Sequence, residues 1–257
     1  MQTDSPIYSI CVTHYNNADT IRRALDSILA QIDSRFEIVV VDNFSSDGSR
    51  EILEEYLRAG KINRLVEKHS SRGLGWQTAV ENAKGKYVLV DLDMDDEFKP
   101  ELKRLLEFYH SKCEGYILAA VADLESAWSK NVTIGPRKLI LELGGWPDLQ
   151  FYEHSNLWGR AALKDLYRWT SFSLVTNVGE HDDRRSAFGR FRFRYMRYRD
   201  LYRQGRIWIV RGERTRFSAR MAMRLARITA AFMKSYAKTT NRSFQPRDTG
   251  TFVKFEL

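Results

Sequence analysis

The chain has 257 residues, 43% apolar and 29% charged, the balance of a folded protein with a sizeable core. Its net charge of +8 hides a split: residues 1–183 hold 21 Lys+Arg against 29 Asp+Glu, a net −8, and residues 184–257 hold 20 against 4, a net +16. No stretch approaches the ~18 uninterrupted apolar residues of a membrane-spanning helix, and two cysteines in apolar surroundings, Cys11 and Cys113, exclude a disulfide framework and a thiolate zinc site.

The polar start, Met1 to Pro6, has no basic-then-apolar leader pattern, so residence in the cytoplasm is expected. Ile7 to Val12 is a β-prone run. Asp19 is placed to cap a helix whose apolar face is Ile21, Leu25, Ile28, Leu29 and Ile32. Glu37 to Val41 reads as a strand buried on both faces, because its apolar residues are continuous and do not alternate. A polar turn, Asp42 to Gly48, leads to a helix carrying Ile52, Leu53, Tyr56 and Leu57. Leu65-Val66 and Tyr87 to Val90 predict the third and fourth strands, Leu102 to His110 a helix, and Tyr116 to Ala122 the fifth strand. A loop-rich region with Gly135-Pro136 and Gly144-Gly145-Trp146-Pro147 follows. Then come a helix from about Asn156 to Leu166 and a last strand from Phe172 to Val178. Strands separated by helices imply an α/β protein with a mostly parallel sheet, whose ligands bind beyond the carboxyl ends of the strands.

The basic segment begins with Phe188, Phe191, Tyr195, Tyr198 and Tyr202, spaced 3, 4, 3, 4 and so sharing one helical face among arginines. A second run places Met221, Leu225, Ile228, Phe232 and Tyr236 on one face, flanked by Arg220, Arg224, Arg227 and Lys234. Such faces pack on the rest of the protein, lie in an anionic membrane interface, or bind nucleic acid. Packing together with membrane association is the favoured reading, and nucleic acid the weakest.

The most informative stretch is Val88-Leu89-Val90-Asp91-Leu92-Asp93-Met94-Asp95-Asp96-Glu97, a buried strand running directly into five acids. Carboxylates this close repel one another and seek cations. At the mouth of a parallel sheet, hard oxygen ligands suit Mg²⁺ or Mn²⁺ completed by substrate phosphates. A solvated acidic loop is the plain alternative.

The chain resembles the family 2 glycosyltransferases with the GT-A fold. Four ordered pieces over roughly residues 7–165 carry the resemblance. They are Ser9 to Asn16; Val39 to Ser49 with its Asp-containing turn; Arg72-Gly73-Leu74-Gly75 with Asn82 to Tyr87 leading into the acidic strand; and Gly144-Gly145-Trp146 followed by Glu153 and Leu157-Trp158-Gly159-Arg160. The resemblance implies a GT-A catalytic domain over 1–183, with a basic, aromatic-rich helical extension over 184–257. It also implies transfer of a sugar with inversion, from a UDP-, GDP- or dTDP-linked donor to a sugar or lipid-linked acceptor, in polysaccharide or glycolipid synthesis. Asp42 would hold the nucleobase or ribose, with Thr13 and Tyr15 in the same pocket and Arg72 near phosphate. The metal, Mn²⁺ or Mg²⁺, would bridge the diphosphate. Counting back from Pro100 selects Asp93-Met94-Asp95 for it; counting forward from Gly85-Lys86-Tyr87 selects Asp91-Leu92-Asp93. Asp93 belongs to both. Asp96 is expected in a supporting or surface position.

At the acceptor side the family usually shows an acidic pair whose second member is the general base. Here the pair is Glu153-His154. His154 is one candidate for the base, because imidazole titrates near neutrality. Glu153 is another. A polyprenyl phosphate, already ionised, needs no base, and would place the enzyme on the cytoplasmic face of the cell membrane. His181 is a weak further metal candidate. Two rival functions are a catalytically inactive nucleotide-sugar-binding protein of the same fold and a nucleotidyltransferase. The chain lacks the glycine-rich, Arg-containing loop of the latter.

Overall fold

The computed structural model describes residues 5–121, 131–176, 187–204, 217–233 and 250–256. In chain order the first half is β1 (Tyr8–His14), α1 (Ile21–Leu29), β2 (Phe36–Asp42), α2 (Ser49–Arg58), β3 (Arg64–Glu67), α3 (Arg72–Asn82), β4 (Tyr87–Val90), β5 (Glu97–Phe98) and α4 (Leu102–Phe108). A π-helical turn over Tyr109–Cys113 extends α4. The second half is β6 (Ile117–Val121), β7 (Asn131–Pro136), α5 (Arg137–Glu142), α6 (Glu153–Ala162), β8 (Tyr167–Ser171), β9 (Val175–Thr176), α7 (Ala187–Arg203), α8 (Phe217–Ala231) and β10 (Thr251–Phe252).

Eight strands form one sheet in the order β10-β8-β6-β7-β4-β1-β2-β3, and β5 pairs with β9 apart from it. β1 lies parallel to β2 and β4, and β8 parallel to β6 and β10. Only β7 runs against its neighbours β4 and β6. Both faces are covered. Ile10, Val12, Ile38, Val40 and Leu89 pack with α1 and α4 on one side; Cys11, Val39, Val41, Val88 and Val90 pack with Trp76, Trp146 and Trp158 on the other. This double burial explains the unbroken apolar runs of β2 and β4.

Several elements differ from the sequence reading. Thr20, not Asp19, occupies the cap position of α1, and its hydroxyl donates to the carbonyl of Met94, tying α1 to the acidic loop. The region read as loop after β6 contains β7, where Val132 and Ile134 enter the core before Gly135-Pro136 ends the strand. Among the described residues the last large strand is β8, earlier than expected; of the predicted 172–178 run, Val175 and Thr176 form β9, and residues 177–178 lie outside the described residues. α6 begins at Glu153, three residues ahead of the prediction, so Glu153 and His154 open the helix. The basic segment is not purely helical, because β10 joins the sheet edge beside β8. The 183/184 boundary, His181, Tyr236 and Lys234 lie outside the described residues.

Candidate active site

β4 is buried along its length and ends at Asp91, whose φ of +82° turns the chain off the sheet. A left-handed backbone at a non-glycine residue stores about 1–3 kcal/mol and clusters at functional sites. Beyond the turn the sequence alternates: Leu92 and Met94 bury into the core while Asp93 and Asp95 stay partly accessible. Carboxylate oxygens of Asp93, Asp95 and Asp96 lie within 4.8 Å of one another. Such a convergence fits a hard divalent cation. Asp96, expected to the side, is buried and joins the trio.

Asp91 is not part of that trio. Its Oδ1 lies 2.7 Å from His154 Nε2. The other ring nitrogen, Nδ1, faces the indole Nε1–H of Trp146 at 3.1 Å. An indole nitrogen only donates, so His154 Nδ1 accepts, the proton sits on Nε2, and Nε2–H donates to Asp91. Trp76 and Trp158 pack over the imidazole, with centroids 4.2 and 5.5 Å away. Burial drives the His154 pKa down to about 4, against the pull of Glu153. The ring is neutral and both nitrogens are engaged.

Glu153, one residue earlier, is buried as well, and its Oε2 has no hydrogen-bond partner among the described residues. Burial raises its pKa to about 7, opposed by His154 and Arg72. Burial, then the charge of Asp93, raises Asp91 well above the carboxylate range. Arg72 is an exposed residue; desolvation of its guanidinium lowers its pKa, but Asp93, Glu153, Asp91 and Asp95 together more than reverse that. One guanidinium thus stands in the field of four carboxylates from the acidic loop and from α6.

Two supports hold α6 in place. The N-terminus of α3 is pressed against the loop before it: Gly73 N–H donates to Leu149 O, and a Cβ at Gly73 would lie 2.1 Å from Pro147 O and 3.1 Å from the Glu153 Cβ. From the other side, buried Asp200 of α7 accepts the backbone N–H groups of Gln150 and Phe151 at 2.8 and 3.3 Å. Arg203 donates to Asp148 O, and Arg197 to the Tyr152 hydroxyl. The sequence reading missed Asp200; its signal was being the only acid between residues 184 and 212.

Thr13, Tyr15 and Asp42, expected from the sequence on the nucleotide side, stand at neighbouring strand ends. Tyr15 is exposed just beyond β1. Thr13 lies beneath α3, where a Cβ at Gly75 would meet its Oγ1 at 2.2 Å. Asp42 has no exposed surface; it accepts the Ser45 N–H at 2.9 Å and the Ser45 hydroxyl at 2.6 Å, and so fixes the turn after β2. That turn presents Phe44 (φ +55°), whose ring packs tilted against His69 with centroids 4.1 Å apart.

Comparison with known proteins follows the same lines. TuaG of Bacillus subtilis (strain 168), named for teichuronic acid biosynthesis, is 35% identical over 106 residues, 40% of this chain and 42% of that one. The chain therefore matches less than half the length of such relatives. Among solved structures, a mannosyltransferase from Pyrobaculum calidifontis in complex with GDP-Man and Mn²⁺ covers 89% of this chain and 74% of its own at a TM-score of 0.60 and 21% identity. Glucosyl-3-phosphoglycerate synthase from Mycobacterium tuberculosis, in complex with Mn²⁺, UDP and glucosyl-3-phosphoglycerate, covers 74% and 78% at 0.55 and 15%. At these identities the likeness is one of fold. The family profile described as Glycosyl transferase family 2 matches residues 9–166, more than half of the sequence. The chain belongs to glycosyl transferase family 2.

Proposed function

We propose that the protein transfers a sugar from a nucleoside-diphosphate sugar to an acceptor hydroxyl, with inversion and with a divalent cation. The observation that carries this reading is the convergence of the Asp93, Asp95 and Asp96 carboxylates at the end of β4, in the field of the same Arg72 that Glu153 faces. These acids would hold Mn²⁺ or Mg²⁺, and the ion, when bound, neutralises the departing diphosphate. The turn anchored by Asp42, with Thr13 and Tyr15, frames the nucleoside, and Arg72 adds positive charge beside the phosphates.

Glu153 is the general base in this reading. Its Oε2 is unengaged and its pKa stands near neutrality, so it takes the acceptor proton as the oxygen attacks. His154 is spoken for on both nitrogens and serves to position Asp91 and the start of α6. In a one-step displacement no protein nucleophile is needed. A second reading replaces the hydroxyl with an ionised lipid phosphate at a membrane surface, where Glu153 moves no proton; the outward face of α8 favours it.

Calorimetric binding of UDP, GDP and dTDP, each with and without Mn²⁺, tests the donor site. One nucleotide is expected to bind only with metal, and Asp93→Ala to abolish that binding. Turnover of the matching nucleotide-sugar, absent in the same variant, would exclude a non-catalytic binding protein. Failure to bind any of the three nucleotides would overturn the proposal.

A further inference from the structure

The second helix of the basic segment is seated the wrong way round for a simple core helix. Its buried face is Ala222, Met223 and Ala226, which pack with Tyr198 and Leu201 of α7, and the Tyr195 hydroxyl donates to Thr229. Its larger apolar residues point away: Met221 is 43% exposed, Leu225 44%, Ile228 59% and Phe232 88%. At 100° per residue these four fall within a 60° stripe. Scattered exposed apolar side chains are ordinary, but a continuous stripe along three turns is an interaction surface.

The rim of the stripe says what it meets. Arg224 and Arg227 line a shallow groove with Ile228, Ala231 and Phe232. Neither arginine has an ion-pair partner among the described residues. The segment that carries them holds 20 basic against 4 acidic residues. A protein core would be matched by the apolar stripe alone, and a polyanion by the arginines alone. The two side by side along one helix match a surface with fixed negative charge above hydrocarbon.

We propose that α8 docks on an anionic lipid bilayer, with Leu225, Ile228 and Phe232 entering the headgroup boundary and Arg224 and Arg227 meeting lipid phosphates. This deepens the reading of an acceptor presented at a membrane and rests on it. The docked hairpin is tied to the active site, because α7 holds the 148–152 loop through Asp200, Arg203 and Arg197.

The test is co-sedimentation of the full chain with vesicles of phosphatidylcholine alone or of equimolar phosphatidylcholine and phosphatidylglycerol, without donor or acceptor. Binding is expected only to the anionic vesicles. The double change Arg224→Gln with Arg227→Gln is expected to weaken it about 30-fold, each arginine contributing roughly fivefold at such a surface. Ile228→Ser with Phe232→Ser is expected to abolish it; all four positions are on the surface, and a melting curve checks that each variant folds. Equal binding to neutral vesicles, or binding indifferent to both variants, would overturn the proposal. So would a dimer, or a complex with a generic oligonucleotide, that the serine variant breaks while vesicles are ignored. Asp93→Ala is expected to lose metal-dependent nucleotide binding and keep vesicle binding, so failure of the donor-site reading is seen apart from failure of this one.

Discussion

Replacing Glu153 by Gln separates two consequences of one buried carboxyl group. Burial raises its pKa from 4.5 to about 7. Between those values the folded chain keeps a proton that the unfolded chain has released, so stability falls as pH rises through that window. Above it the penalty is complete, and a rise from 4.5 to about 7 corresponds to ~3 kcal/mol. Gln has nearly the same shape and no charge. At about pH 8 Glu153→Gln is expected to be more stable than wild type by about 2–3 kcal/mol, or ~5–10 °C in Tm for a chain of this size. At about pH 5 most of that gain disappears. His154 has the opposite sign: its pKa falls from 6.5 to about 4, so its neutral burial is harmless above 6.5 and destabilising as pH drops towards 4. In wild type the two slopes oppose one another across mildly acidic pH; in the variant the acid-side decline stands alone. The same substitution is expected to lower kcat by about 10²–10⁴-fold, the usual contribution of a positioned base. Wild-type kcat itself should fall about tenfold per pH unit below about 7. Melting curves and initial rates over one pH series read both effects. A variant that melts below wild type at alkaline pH, or that retains most of the wild-type kcat, would refute the assignment of Glu153 as a buried base.

Three further outcomes are expected. Asp93→Asn should reduce the Mn²⁺ dependence of nucleotide affinity with little change in Tm, measured by calorimetry; unchanged metal dependence would move the cation elsewhere. Gly73→Ala should lower kcat by at least tenfold and stability by about 1–3 kcal/mol, because its Cβ would lie 2.1 Å from Pro147 O and press on Glu153; wild-type rates would show that the α3 contact is slack. Asp200→Ala removes the acceptor of two backbone N–H groups and a carboxylate beside Arg199 and Arg203. It should cost about 3–5 kcal/mol by chemical denaturation and depress kcat as well; a loss under about 1 kcal/mol would mean that α7 merely leans on the loop.

The strands whose residues are an unbroken apolar run, as at Val39 to Val41, Tyr87 to Val90 and Ile117 to Val121, were legible because burial on both faces removes the polar alternation. β7 was hidden by the turn signals of Gly135-Pro136, and β8 by Arg168, a charged residue inside a strand whose guanidinium lies 3.9 Å from the Tyr116 ring centroid. The acidic loop could be found but not apportioned. Which carboxylates converge depends on the left-handed turn at Asp91, and that turn puts Asp91 against His154 and leaves the trio to Asp93, Asp95 and Asp96. The role of His154 was likewise unreadable, since its tautomer is set by Trp146 across a loop. Periodicity located the apolar stripe of α8, but left open whether it packs on the protein or meets a membrane. The side on which α7 lies is a tertiary fact, decided by the small Ala222 and Ala226 against Tyr198.

The pairing of β10 with β8 changes what the basic segment is in the chain's economy of folding. Gly250 O accepts from the Trp169 indole across 81 residues of sequence, Phe252 packs on Trp169, and Phe255 stacks on Phe172. The helical hairpin is therefore an insertion fastened at both ends to the catalytic sheet. Until residues 251–252 have been synthesised, β8 presents an open edge able to recruit strands from other chains. Cutting the chain before the hairpin would leave that edge permanently open, so a form without the two helices needs β10 kept in the chain.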